Sequence, residues 1–164
     1  MVVGDGVGKG LDAAATMGQL RSAVRSCALT VRGPGDLLDA LDRYARHHHD
    51  GRLATLIYAD LDLRTRKLRY AVAGDPPPIL LTNDREPVLL WDGRSTPLDS
   101  GDPQPSARDE AHRTLDRDGG LILYTDGLIA RRTQTVDHGI HQDLRPDRRP
   151  DDACVLALRL APQG

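Results

Sequence analysis

The sequence predicts an α+β domain. Two helical stretches come first and in succession, a run of short strand patterns with turn residues between them follows, and no apolar run approaches the ~20 residues of a membrane span. At 164 residues the chain reads as one domain, residues 1–164, long enough for a two-layer core. A net charge of −2 and a pI near 6.3 argue against a nucleic-acid or membrane surface held by bulk charge. Met1-Val2-Val3-Gly4 lacks the charged and apolar regions of a signal peptide, so a cytoplasmic protein is expected. Phe is absent and aromatics make up 3 %, which leaves Leu, Val, Ile and Ala to build the core.

Val2-Val3 is a short β-branched run that ends at Gly4-Asp5 and passes into Gly6-Val7-Gly8-Lys9-Gly10. Glycine at alternate positions lets a ligand or ion approach the backbone closely. The P-loop pattern fails, because Val3 stands where its first Gly belongs and Lys9 is followed by Gly10; the dinucleotide pattern lacks its third Gly. What remains is a carboxylate, Asp5, on a Gly-rich loop.

From Leu11 to Val31, apolar residues at Ala13, Met17, Leu20, Val24, Cys27, Ala28 and Val31 make one stripe of a long helix. Gly33-Pro34-Gly35 breaks it, and Asp36 is the expected N-cap of a second helix carrying Leu37, Leu38, Leu41, Tyr44 and Ala45. The two helices form one layer. His47, His48 and His49 close the second helix; consecutive helical positions point in different directions, so favourable cation placement at a helix C-terminus explains them better than a metal does.

Leu53 to Leu63 is apolar on both faces and reads as a central strand, turned by Arg64-Thr65-Arg66 into Lys67 to Ala73 as a hairpin. Gly74-Asp75-Pro76-Pro77-Pro78 is rigid and poor in backbone donors. Short strands follow at Ile79–Thr82 and Val88–Asp92, then a loop from Gly93 to Ser106 and a solvated strand within Arg108–Arg117. Leu121–Thr125 is a buried strand that stops at Asp126-Gly127. Arg131 to Pro150 reads as a loop containing His138 and His141, which lack further metal ligands nearby. Ala153–Leu160 is expected as a last buried strand, with Cys27 and Cys154 as reduced core thiols.

Carboxylates therefore recur at strand ends: Asp5, Asp126, and Asp151 or Asp152. If the strands flanked by Asp126 and Asp151 pair antiparallel, both carboxylates come to one sheet edge. Clustered carboxylates raise one another's pKa unless a cation intervenes, and an oxygen-only donor set favours Mg²⁺ or Mn²⁺ over Zn²⁺. A paired metal site of this kind suits phosphoester hydrolysis. Aspartates at strand ends also simply mark turns, and the residues alone leave both readings open.

Four motifs in order resemble those of the SpoIIE/RsbU-like branch of the PPM-type (type 2C) serine/threonine protein phosphatases. They are Gly4-Asp5-Gly6-Val7-Gly8-Lys9-Gly10-Leu11 with Ala13-Ala14, Ala73-Gly74-Asp75-Pro76-Pro77-Pro78, Leu123-Tyr124-Thr125-Asp126-Gly127-Leu128, and Asp151-Asp152 before an apolar strand. The resemblance implies an α-β-β-α sandwich with two Mn²⁺ or Mg²⁺ ions at one edge. By motif match Asp5 would bridge the ions, the Gly6 carbonyl would assist, and Asp126 and Asp151 would complete the protein ligands; Asp5 and Asp126 are the candidate catalytic residues. It further implies metal-activated attack of water on a phosphoserine, and a phosphorylated anti-sigma-factor antagonist as substrate and partner, with a dimer or an upstream sensor domain possible in the family.

The chain departs from that pattern in four places. It begins after the family's Gly-Gly-Asp strand, which would remove one ligand and an edge strand. Asp75 replaces the His of Ala-Gly-His, Asp99 follows Pro97-Leu98 where Gly is usual, and the segment between Gly127 and Asp151 is shorter. The sandwich is therefore expected to lack an N-terminal edge strand and part of the C-terminal helical segment, and to bind metal less tightly. The alternative reading is a catalytically impaired binding module that keeps the phosphatase fold in sigma-factor regulation.

Overall fold

The computed structural model describes residues 1–6, 10–48, 54–83, 86–101, 107–129 and 153–161. The chain runs β1 (Val2–Asp5), α1 (Leu11–Cys27), α2 (Pro34–His48), β2 (Thr55–Asp62), β3 (Lys67–Ala73), β4 (Ile79–Leu81), β5 (Val88–Leu89), β6 (Arg94–Ser95), β7 (Ala111–Thr114), β8 (Gly120–Tyr124) and β9 (Val155–Arg159). The expected loop over 131–150 with His138 and His141, the residues Val7–Lys9 and His49, and Asp151 and Asp152 lie outside the described residues.

Two sheets form. In the first, β1, β2 and β3 pair antiparallel in that order, β7 pairs antiparallel to β3, and β6 pairs parallel to it. The second is antiparallel in the order β5-β4-β8-β9. The hairpin β2–β3 has the expected turn and lies at the centre of the molecule. Alternation along it sends Leu56, Tyr58, Ala71 and Ala73 to one face and Ile57, Ala59, Tyr70 and Val72 to the other.

Each face has its own core. Leu20 and Val24 of α1 and Leu37, Leu38, Leu41 and Ala45 of α2 pack on the first face, where the small side chains of Ala71 and Ala73 let the helices approach. Leu80, Leu121 and Leu123 of the second sheet close the other face together with Leu90, which follows β5, and with Val3 and Leu68. The result is a mixed α+β sandwich of antiparallel sheets, as expected, with helix, sheet and sheet stacked in three layers; the fourth layer of the α-β-β-α arrangement is not among the described residues. The far face of the second sheet carries the cross-strand row Leu89, Ile79, Ile122 and Ala157.

Several boundaries differ from expectation. α1 ends at Cys27 rather than Val31, because the Thr30 amide and hydroxyl both donate to the Cys27 carbonyl and fold the chain into a turn. α2 starts at Pro34, where a missing N–H costs nothing, so Asp36 lies in the first turn instead of capping it. The predicted loop from Gly93 contains β6, and its Leu98 is fully buried and bridged to Ala54. β9 is not a buried strand: Val155 is 49 % exposed, and Cys154 is exposed rather than a core thiol. The stretch from Arg108 is not simply solvated, since Arg108, Ala111 and Leu115 are buried.

Arg108 explains the last difference and ties the loop down. Its guanidinium donates to the Asp42 carboxylate of α2 at 2.8 Å, to the Ser95 hydroxyl at 2.7 Å and to the Thr96 carbonyl at 2.6 Å. The Asp99 amide donates to the same Asp42 oxygen at 3.0 Å, with Asp99 held at φ 51°, a conformation that accounts for Gly being usual there. Burial by itself would raise the pKa of Asp42, but the Asp99 amide, Arg46 and Arg108 outweigh it and hold it below the ordinary 3.8.

Removing Arg108 takes one of two cations from the buried Asp42 and leaves Arg46 and the Asp99 amide to hold it, so Arg108→Ala should lower unfolding free energy by about 1.5–3 kcal/mol in urea melts, whereas Leu29→Ala, at an exposed site, should stay within about 0.5 kcal/mol. Because the folded-state pKa of Asp42 is depressed, its contribution is present above pH 3.8 and is lost as pH falls through the lower folded value. Asp42→Asn should therefore be less stable at neutral pH and show a shallower loss below pH 3.8, measured by thermal melts across that range.

Candidate metal centre

The topology brings several strand ends to one edge. Asp5, the last residue of β1, is opposite Thr55 at the start of β2, and Leu56 is opposite Ala73 at the end of β3. From Ala73 the chain leaves the first sheet through Gly74-Asp75-Pro76-Pro77-Pro78 and enters the second at Ile79. Since β4 and β8 are antiparallel, the start of β4 and the end of β8 share that edge, and Thr125-Asp126 follows directly. The expected β8–β9 pairing is present, with Tyr124 opposite Val155.

Local contacts fix these ends. The Asp5 carboxylate accepts the Gly6 amide at 2.8 Å, and a Cβ at position 6 would come within 2.8 Å of the Met17 sulfur of α1, so that helix sits directly over the loop. Gly74 has φ +79°, and a Cβ there would meet Pro97 at 2.7 Å; the loop held by Arg108 therefore backs onto this turn. The Thr125 amide donates to the Cys154 carbonyl at 3.1 Å, and the Cys154 amide donates to the Thr125 hydroxyl at 3.0 Å. This double link holds the segment after β8 against the residue just before β9.

Of the sequence-predicted site residues, Asp5 and Gly6 are half-buried at the end of β1, Asp126 is exposed just after β8, and Asp151 lies outside the described residues. The residue that sequence reasoning missed is Asp75. It is fully buried, and neither carboxylate oxygen has a hydrogen-bond partner among the described residues. Burial pushes its pKa up to about 7, with the negative charges of Asp126 and Asp5 adding to the effect; the neighbouring Thr55 hydroxyl pulls the other way without reaching hydrogen-bond geometry. Arg94 donates only to its backbone carbonyl, at 3.4 Å, while stacking on Trp91. A signal was present in the sequence, since a carboxylate followed by three prolines has no local amides to accept.

Among the described residues, no three His, Cys, Asp or Glu side chains lie close enough to hold an ion by themselves. The donor chemistry nevertheless fits a hard divalent cation: the carboxylates are oxygen donors, and Asp75 is a buried acceptor with nothing donating to it.

The profile of the Stage II sporulation protein E (SpoIIE) family matches residues 1–146. The chain belongs to the SpoIIE family. Among relatives of this SpoIIE chain, phosphoserine phosphatase RsbU of Bacillus subtilis is 24 % identical over 135 residues, covering 82 % of this chain and 40 % of RsbU. The crystal structure of the RsbU and RsbW domains of a Mycobacterium tuberculosis protein superposes with a TM-score of 0.76 at 27 % identity, covering 99 % of this chain and 53 % of that one. RsbX in complex with magnesium gives a TM-score of 0.66 at 20 % identity over 98 % of this chain and 80 % of that one, a likeness of fold. The SpoIIE chain thus spans about two fifths of RsbU and half of the mycobacterial protein.

Because the ordinary value for Asp75 is 3.8 and its folded value is near 7, the metal-free fold binds the extra proton between them. Stability from this group is full below pH 3.8 and is lost as pH rises through 7. Asp75→Asn should flatten that decline, making the metal-free variant more stable than wild type at pH 8 by up to a few kcal/mol in thermal melts.

Proposed function

We propose that this chain is the catalytic domain of a divalent-metal-dependent protein phosphatase that hydrolyses phosphoserine or phosphothreonine on a regulatory protein such as an anti-sigma-factor antagonist. The observation that carries the reading is the shared edge of the two sheets, where the charges of Asp126 and Asp5 both act on the buried Asp75. The named activity of RsbU and the RsbU–RsbW pairing in the mycobacterial protein support the same class of substrate and partner.

In this reading Asp5, the Gly6 carbonyl, Asp126 and Asp151 hold two Mg²⁺ or Mn²⁺ ions. The bound ions supply Lewis-acid activation of water and neutralisation of phosphoryl charge. Asp5 is oriented by the Gly6 amide, which donates to one carboxylate oxygen at 2.8 Å. The Thr125–Cys154 link holds Asp126 in register with the residues preceding β9. The edge is open at Asp126, so a phosphorylated side chain on a protein surface can reach it without a deep pocket.

One observation favours a second reading, a phosphatase-fold module that binds a sigma-regulatory partner without catalysis: the described residues do not close a ligand set of three. Mn²⁺-dependent release of phosphate from a phosphoserine peptide separates the two. The catalytic reading expects release with Mn²⁺, none with EDTA, and a loss of about 10²-fold or more in Asp126→Ala. Release unchanged by Asp126→Ala would refute the assigned chemistry, and tight partner binding with no release would favour the module.

A further inference from the structure

The geometry points to Arg94, supported by the face of Trp91, as the residue that grips the phosphate group of a phosphorylated protein segment at the carboxylate edge. The inference rests on the phosphatase reading of that edge and deepens it by naming a substrate-binding cation outside the Asp5, Gly6, Asp126 and Asp151 set.

The backbone brings Arg94 to the edge. β6 pairs parallel to β3, with Arg94 opposite Val72 and Ser95 opposite Ala73, so it ends level with the start of the crossover. Alternation sends the two side chains to opposite faces. The Ser95 hydroxyl joins Arg108, whereas the Arg94 guanidinium donates to the Asp75 carbonyl at 3.4 Å and its charge acts on the Tyr124 phenol, two residues before Asp126. Arg94 thus stands against both elements that carry the carboxylates of the edge, the crossover and the end of β8.

Its positive charge is uncommitted. Among the described residues Arg94 makes no ion pair, and the carboxylate nearest to it in sequence, Asp92, is held by Arg113 of β7. One bond to a carbonyl leaves most of the guanidinium donors for a ligand. The side chain is exposed, and its guanidinium carbon lies 5.1 Å from the centre of the Trp91 ring, which is itself 60 % exposed. The intervening turn passes through Gly93 at φ +67°, packed against Ala111, and sets the two side chains next to each other. Contact with the ring face steadies the guanidinium without using its N–H groups.

Charge decides what such a group is for. A phosphoserine side chain carries about −1.5 to −2 at pH 7, and at this edge it meets Asp5, Asp75 and Asp126. The carboxylates repel it. A guanidinium on the rim offsets that repulsion and holds two phosphate oxygens at once through paired N–H groups, which an ammonium cannot do.

Trp91 is the sole tryptophan of the sequence, so its fluorescence reads this spot directly. The test titrates the protein, in Mg²⁺, with a peptide carrying a non-hydrolysable phosphonate analogue of phosphoserine, with the same peptide bearing serine, and with inorganic phosphate, followed by fluorescence and by calorimetry. Wild type is compared with Arg94→Ala, Arg94→Lys and Arg159→Ala, the last removing an exposed arginine from the far end of β9, where it pairs with Gly120. Steady-state release of phosphate from the phosphoserine peptide in Mn²⁺ runs alongside, and thermal melts check that the variants fold. Expected is saturable binding of the phosphonate peptide by wild type, about tenfold or more weaker in Arg94→Ala and partly recovered in Arg94→Lys, with KM rising in step while kcat changes less. Arg159→Ala should stay within about twofold of wild type. The proposal is overturned by a folded Arg94→Ala whose affinity is within about twofold of wild type, by equal losses in Arg94→Ala and Arg159→Ala, or by wild type that binds serine peptide or inorganic phosphate as tightly as the phosphonate peptide. Arg94-dependent binding without phosphate release would leave this assignment standing while the phosphatase reading fell; release with KM and affinity unchanged in Arg94→Ala would do the reverse.

Discussion

Everything in this molecule depends on the hairpin β2–β3 being covered on both faces. Ile57, Tyr70 and Val72 require a second sheet, Leu56, Ala71 and Ala73 require helices, and once both are present the ends of the hairpin have one place to go. The start of β2 and the end of β3 open onto a single edge, and the chain must cross from one sheet to the other there. The crossing segment consequently cannot avoid being buried. That topological necessity carries Asp75 into the interior beside Asp5 and Asp126, so the unusual electrostatics of the edge follow from how the core is closed.

A second constraint acts at a distance from the edge and serves it. Arg108 and Asp42 are both buried, and a buried ion pair contributes less to net stability than its short distances suggest, because both charges have left water. Its value here is positional. The guanidinium holds the carbonyls of Thr96 and Pro97 and the Ser95 hydroxyl, and Pro97 in turn presses on Gly74. Helix α2, the loop after β6 and the crossover thus form one continuous support beneath the carboxylates, built from polar contacts where the surrounding core is aliphatic.

The parts legible in the sequence were those governed by local periodicity. The period-two pattern of Lys67–Ala73 gave its strand to the residue, and the stripe Leu37, Leu38, Leu41 and Ala45 gave the buried face of α2. What escaped was set by distant partners. Arg94–Ser95 is a strand only because β3 offers it a free edge, and nothing in Gly93–Ser106 distinguishes it from loop. Arg108 sits in a charged stretch, and what makes it an interior residue is Asp42, sixty-six residues earlier, together with the acceptors of the Ser95–Pro97 loop. The strand pattern of Val155–Arg159 was read correctly, but its burial was not, since alternation reports two faces and not whether a layer covers the second. At the site, the ordered motifs led to Asp5 and Asp126 and to the SpoIIE family, whereas Asp75 registered only as a deviation until its surroundings were visible.

The two helices are attached very unequally. α2 buries most of its inward face, while α1 sinks only Leu20 and Val24 completely and leaves its first residue, Leu11, 89 % exposed. In native-state amide exchange α1 therefore belongs to the units that open at low free energy, well before the central hairpin unravels. Since Met17 lies against Gly6, each such excursion uncovers the turn next to Asp5. The turn at Gly6 beside the first carboxylate therefore borrows its order from a helix that is itself thinly anchored.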